Sequence, residues 1–253
     1  MKKILITGAD GYIGKSLSNN LKGYELTCIN RKVCDLTDAD KVREFFKDKY
    51  FDVVIHSAAV GGSRLQRDSR SVFKSNIRMF ENIAFRKEHY GKLIHFGSGA
   101  QKNYPLTAYG LSKKIIAKMI EETTDFYNII IYGLFDENEL DTRFIKSNVK
   151  RCINNEKMII HKDRYMDFFH MKDLINKVIE YIETDMPKTF ECKYEETYRL
   201  THIAEMIALI LGSTANVEVL KDGLDKPYVS ESKISYTSAK FEDRLKETIE
   251  KLK

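Results

Sequence analysis

The chain has none of the features that mark a secreted, metal-binding or membrane-spanning protein. Its four cysteines, Cys28, Cys34, Cys152 and Cys192, form no CxxC pair and no metal-ligand spacing. Neither a disulfide framework nor a metal site is therefore expected. No stretch approaches the roughly 20 apolar residues of a membrane span, and the opening Met1–Gly8 is too short an apolar run for a signal peptide. A reducing, cytoplasmic setting with free thiols is the expectation. Internal repeats and low-complexity linkers are also missing. Nor does one charge dominate: the net charge is +5, and the basic residues are dispersed. This argues against nucleic acid or a membrane as partner. An anionic small molecule needs only a local cluster of cations.

What is present suits a large buried core. The chain has 253 residues, 43% of them hydrophobic, enough for one large domain or one domain with a small lobe. Short apolar runs alternate with helical spacing. Strands are expected at Ile4–Thr7, Leu26–Ile29, Val53–His56, Leu93–Phe96 and Ile129–Tyr132. Between them, helical periodicity covers Ile13–Leu21, Asp38–Lys47, Val72–Phe85 and Tyr109–Glu122. Such alternation predicts an α/β fold with a doubly wound parallel sheet. After Gly133 the pattern loosens. Helices are expected over 143–153, 173–182 and 201–211, with short strands at 158–161 and 217–220. The expected division is a dinucleotide-binding domain over 1–155, with helix 173–183 packing back on it, and a smaller interleaved lobe over 156–253.

Gly8-Ala9-Asp10-Gly11-Tyr12-Ile13-Gly14 reads GxxGxxG between the first strand and the first helix. That arrangement gives a tight turn, then backbone close to a pyrophosphate, then close helix–strand packing. Amides of the helix start, including those of Tyr12 and Ile13, would face the phosphates. Where an NAD site carries a carboxylate, at the end of the second strand, the chain reads Ile29-Asn30-Arg31-Lys32. Arg31 suits a 2′-phosphate, so NADP(H) is expected over NAD(H). Asp35 and Leu36 are placed near the adenine, and Ser57, Ala58 and Ala59 give the cofactor close backbone. His56 reads equally well as a hydrogen-bonded core residue or as a functional one.

Tyr109-Gly110-Leu111-Ser112-Lys113 gives YxxxK. Positions four apart share a helix face. The lysine can lower the pKa of the tyrosine hydroxyl and bond the nicotinamide ribose, leaving the phenol as general acid or base. Ser98, at the end of the fourth strand, can hold the substrate oxygen, because ligands bind at the carboxyl ends of parallel strands.

These residues, in this order, resemble the extended short-chain dehydrogenases/reductases, also called the NAD-dependent epimerase/dehydratase family. The likeness covers residue 1 to about 185. Val60-Gly61-Gly62 and Arg31 look nearest to its GDP-L-fucose synthase-like 4-ketoreductases. Tyr132-Gly133 and Arg164-Tyr165-Met166-Asp167-Phe168-Phe169-His170-Met171-Lys172-Asp173-Leu174 are similar to later family motifs. The resemblance implies a Rossmann-type domain, a small C-terminal substrate lobe, a nucleotide-diphosphate sugar as substrate, and a homodimer through helices 72–85 and 109–122. Arg143, Lys162 and Arg164 are candidates for the diphosphate.

Departures narrow the chemistry. Many 4,6-dehydratases of the family carry an acid pair just after the active-site Ser or Thr, where this chain has Gly99 and Ala100. The fucose synthase group places a cysteine where Ala100 stands, and its partner histidine is replaced near Arg143. Only residues 99–108 separate Ser98 from Tyr109, a short connection that should reshape the sugar pocket. The expected reaction is NADPH-dependent reduction of a 4-keto group on a nucleotide-linked deoxysugar. The rivals are a redox-neutral 4-epimerase with tightly held NAD and a non-catalytic dinucleotide sensor.

Overall fold

Ile4, Leu5 and Ile6 are fully buried in succession, as are Val54 and Ile55. Uninterrupted burial of this kind belongs to strands covered on both faces. Each such side chain contributes about 1.5–3 kcal/mol by leaving water. A computed structural model describes residues 1–63, 67–232 and 237–253, and in it these runs are the centre of a six-stranded sheet.

The elements follow in order: β1 (Lys3–Thr7), α1 (Tyr12–Asn20), β2 (Glu25–Ile29), α2 (Ala39–Phe46), β3 (Phe51–His56), α3 (Arg70–Ala84), β4 (Tyr90–Ser98), α4 (Ala100–Asn103), α5 (Ala108–Glu121) and β5 (Phe126–Ile131). Then come β6 (Leu134–Phe135), α6 (Phe144–Ile153), β7 (Met158–Asp163), β8 (Tyr165–Met166), β9 (Phe169–His170), α7 (Met171–Glu183) and β10 (Thr189–Glu191). Last are β11 (Tyr198–Arg199), α8 (Leu200–Leu211), β12 (Val217–Leu224) and α9 (Phe241–Leu252). The large sheet runs β10-β5-β4-β3-β1-β2, and β2–β1, β1–β3 and β3–β4 pair in parallel. The strand order reverses between β1 and β3, which is where open α/β sheets bind ligands.

The chain forms two compact units, residues 1–130 with 175–190, and residues 131–174 with 191–253. The first is the Rossmann-type unit. Its core gathers Leu5, Ile29, Val42, Phe46, Val54, Phe80, Leu93, Ile116 and Ile120. The chain returns to this unit at Ile175, within α7. Residues 131–155, placed with the sheet domain by sequence, group with the second unit instead. Helix α6 carries its apolar side chains Ile145, Val149 and Cys152 and neighbours α8 and β7 of that same unit.

Among the described residues, the second unit holds three two-stranded pairings, β6–β9, β8–β11 and β7–β12. Phe135, Phe168 and Phe241 form an aromatic cluster with ring centres 5.5–6.2 Å apart. The expected strand at 217–220 extends through Leu224. Helix α9 was not expected from sequence, although Phe241, Leu245 and Ile249 recur at helical spacing and are buried.

Candidate active site

The turn after β1 is built by close backbone contact. Gly8 has φ +67°, and a Cβ there would lie 2.7 Å from Ala58 Cα. Such a φ suits glycine best. A Cβ on Gly14 would collide with the Gly8 carbonyl oxygen. Helix α1 therefore starts hard against the end of β1. Its N-cap is Gly11, with no side chain closing the first turn. The unclosed amides and the helix dipole favour an anion.

Beside this turn lies a cavity of about 330 Å³. Its walls include Gly8 and Gly11 from the turn, Asn30 and Arg31 after β2, Asp35 and Leu36, and Ser57–Val60 after β3. Fixed polar groups shape it. Asn30 Nδ2 donates to Asp10 Oδ2 at 2.8 Å. Thr37 donates to Asp35 from its backbone N–H (3.0 Å) and its hydroxyl (2.7 Å). These bonds, with Arg31 adding less, hold the Asp35 carboxyl below its usual range. Arg31 pairs with Asp35 at 3.2 Å, yet its side chain is 83% exposed. So open an ion pair is weak and leaves the guanidinium available.

The loop after β3 ties this cavity to the YxxxK helix. Ala58, Ala59 and Val60 are cavity walls. Two residues on, the Tyr109 ring sits against Gly62, where a Cβ would come within 2.9 Å of the ring. Asn76 of α3 fastens the arrangement. It accepts from the Val60 N–H at 2.9 Å, and its Nδ2 donates to the Val60 carbonyl (3.0 Å) and to the Ser112 hydroxyl (3.1 Å). Thr107 caps α5, its hydroxyl accepting from the Gly110 N–H at 3.0 Å, which puts Tyr109 in the first helical turn.

Lys113 is one turn further along and only 4% exposed. Its ammonium donates to the Phe96 carbonyl at 2.6 Å and lies 3.3 Å from His95 Nε2. It stands 5.7 Å from the centre of the Tyr109 ring. Burial lowers its pKa to about 7. Ser98 ends β4 two residues beyond Phe96, and its Oγ accepts from the Ala100 N–H at 3.2 Å. The short 99–108 connection winds as α4 and a turn. Gly110 lets the Tyr104 and Ala100 carbonyls pass close to α5.

The matched family model is described as "NAD dependent epimerase/dehydratase family" and covers residues 4–192. The chain belongs to that family. It is thereby an enzyme of the nicotinamide-dependent oxidoreductase kind. Among curated relatives, the chain is 26% identical over 201 residues to the spore coat polysaccharide biosynthesis protein SpsK of Bacillus subtilis, spanning 71% of this chain and 69% of that protein. It is 26% identical over 253 residues to GDP-L-colitose synthase of Yersinia pseudotuberculosis, spanning 83% and 82%. Among solved structures, it superposes on a GDP-mannoheptose C4 reductase of Campylobacter jejuni with NADP bound. The TM-score there is 0.79 at 19% identity, covering 98% of this chain and 97% of that one.

In this epimerase/dehydratase member, Gly8, Gly11, Asn30, Arg31, Asp35, Leu36, Ser57, Ala58 and Ala59, the residues expected to meet a cofactor, line the cavity. Tyr12, Ile13 and Gly14 lie in the first turn of α1 and are not among its walls. Of the candidate diphosphate cations, all in the second unit, Arg164 is bound to Asp225. Arg143 is the exposed N-cap of α6, and Lys162 lies on β7 beside Lys221 of β12.

Sequence reading missed Asn76, Gly62 as the seat of Tyr109, and the approach of His95 to Lys113. Nothing in the spacing of these residues marks them, because each acts through a partner far away in the chain. The two readings of His56 resolve toward the core: it is buried and its Nδ1 lies 2.9 Å from the Thr7 hydroxyl. Burial, then the nearby Lys113, lower its pKa to about 3, so it stays neutral. The RYMDFFHMKDL segment is rich in structural bonds. Asp173 accepts from Arg244 Nε at 2.8 Å and from the Tyr194 hydroxyl at 2.6 Å. Asp167 accepts from the Ser230 N–H at 2.7 Å.

Proposed function

We propose that the protein reduces the 4-keto group of a nucleotide-diphosphate deoxysugar with NADPH. The observation that carries this reading is one loop, residues 58–62, that walls the cavity and seats the Tyr109 ring. It links the phenol of Tyr109 and, one turn on, the Lys113 ammonium to the wall of that cavity. The names of the relatives support a ketosugar substrate, and the C4 reductase fold carries NADP.

The dinucleotide fits the residues present. Gly8 and Gly14 let β1, α1 and the backbone after β3 meet closely enough to form the turn, the first turn of α1 has no side chain closing it, and Arg31 is an available cation on the cavity wall. Bound there, the cofactor supplies the hydride. Tyr109 donates the proton to the carbonyl oxygen. Lys113 stabilises the phenolate left behind and bonds the ribose, while Ser98 holds the oxygen being reduced. Gly99 and Ala100 offer no acid or base for sugar dehydration. Arg143 and Lys162, with fewer commitments than Arg164, are the leading candidates for the diphosphate. A cytoplasmic setting suits the four free cysteines. A homodimer through α3 and α5 suits the part-exposed Phe73, Ile77, Leu111, Ile115 and Met119, and sedimentation in solution reads it.

The test is NADPH oxidation with GDP-, dTDP-, UDP- and CDP-linked 4-ketosugars. Stoichiometric consumption with one of them is expected. Tightly held NAD surviving purification, with no NADPH consumed, overturns the reading in favour of an epimerase. On the same reading, Arg31→Ala raises the KM for NADPH about 10- to 100-fold, the loss of one charge-assisted contact. It leaves the KM for NADH within about 2-fold, since NADH lacks the 2′-phosphate. Equal effects on both cofactors would remove Arg31 from the 2′-phosphate site.

A further inference from the structure

The interior behind Lys113 holds two histidines where a sheet core ordinarily holds apolar side chains. His56 and His95 sit on neighbouring strands at paired positions, with rings stacked 5.5 Å apart. His95 also packs edge-on against Phe80 at 5.4 Å. Both are buried. His56 has Thr7 as partner. For His95 the situation differs: its Nε2 faces the Lys113 ammonium at 3.3 Å, and its Nδ1 is buried with no hydrogen-bond partner among the described residues. A phenylalanine or leucine would fill this position without an orphaned nitrogen. Burying such a nitrogen costs the fold, so its presence calls for a return elsewhere.

We propose that His95 is a positioning residue for Lys113: its Nε2 accepts a hydrogen bond from the ammonium and, with the Phe96 carbonyl, fixes where that cation sits. The importance of this rests on the functional reading, in which Lys113 serves Tyr109 and the cofactor ribose. An ammonium has three donors and no acceptor. Two are taken by Phe96 and His95, which leaves one to point outward. Because Nε2 accepts, the ring is neutral with its proton on Nδ1, the atom left without a partner. Among the described residues, the charged and titratable groups facing Lys113 are His95 from β4, His56 from β3 and Tyr109 from α5, and none is a carboxylate. Among the described residues, the hydrogen-bond partners that compensate for burying the cation are the carbonyl and the imidazole. Burial favours the neutral amine, so removal of one acceptor pushes the lysine further that way.

The experiment follows the Lys113 side chain by NMR against pH, in protein carrying 13C- and 15N-labelled lysine, with no substrate or cofactor present. The signal is assigned by its loss in Lys113→Arg. In the wild type the midpoint is about 7. In His95→Leu it falls by about one pH unit, the size expected for losing one hydrogen bond to a charged group. In His95→Gln, whose amide oxygen also accepts, it stays close to wild type. If His95→Leu does not fold, His95→Met removes the same acceptor with a more adaptable side chain. The alkaline limb of kcat/KM moves in the same order among the variants. An unchanged midpoint in the leucine or methionine variant overturns the proposal, as does a glutamine variant that falls equally. A wild type that reduces no ketosugar would overturn the functional reading while leaving the lysine titration to decide the role of His95.

Discussion

Tyr109→Phe lowers kcat/KM for ketosugar reduction about 10³-fold, within the range usual for losing a positioned general acid. That corresponds to about 4 kcal/mol of transition-state stabilisation. The prediction isolates the hydroxyl. The ring packs against Gly62, and phenylalanine keeps that contact. The cap at Thr107 and the bonds of Asn76 are made by other side chains, so the loop and helix stay in place. NADPH affinity and the melting temperature should therefore hold within experimental error while turnover collapses. Steady-state kinetics paired with NADPH fluorescence titration measure both. Full turnover in the variant would remove Tyr109 from the chemistry. Weak NADPH binding together with slow turnover would show instead that the hydroxyl shapes the cofactor site.

Gly14→Ala abolishes tight cofactor binding. An alanine inside an exposed helix ordinarily gains up to about 1 kcal/mol over glycine. Here the added Cβ would collide with the Gly8 carbonyl oxygen and lie 2.9 Å from Ala9 Cα. Those atoms are main chain and cannot swing aside. To accept the methyl, α1 must tilt away from β1, and the Gly8–Gly11 turn opens with it. The Gly11 N–H bond to the Gly8 carbonyl, 2.9 Å long, is strained first. We expect NADPH affinity to weaken at least about 100-fold, roughly 3 kcal/mol, with a lowered melting temperature. Lys15→Ala, at an exposed site one residue on, serves as control and should bind NADPH much as wild type does. Calorimetric titration of the two variants reads the difference.

The strands and helices of the first unit were legible because each carries its own signal. Buried parallel strands such as β1 and β3 read as unbroken apolar runs, and α3 repeats Ile77, Phe80 and Ala84 at helical spacing. The glycine cradle and YxxxK were legible because their spacing is the chemistry. The second unit was read less well. Its strands β6, β8, β9 and β11 have two residues each, too few for any period to show, and exist only because a distant partner pairs with them. Gly62 gave no local sign of carrying Tyr109, nor Asn76 of holding Val60. The RYMDFFHMKDL likeness pointed to a family motif without revealing that Asp173 serves as an anchor for Arg244 and Tyr194.

Asn76 has one more implication. By gripping both polar groups of Val60 and reaching Ser112, it makes a wall of the cleft and the helix that carries Tyr109, the proposed proton donor, parts of one rigid piece. The cations proposed to read the cofactor's far end sit after β2, in a separate stretch of backbone. Drift between the phosphorylated and unphosphorylated dinucleotide can therefore proceed at residues 30–35 without disturbing the acid. Changes in the 58–62 loop would upset binding and turnover together, and that loop should be the slower of the two to vary.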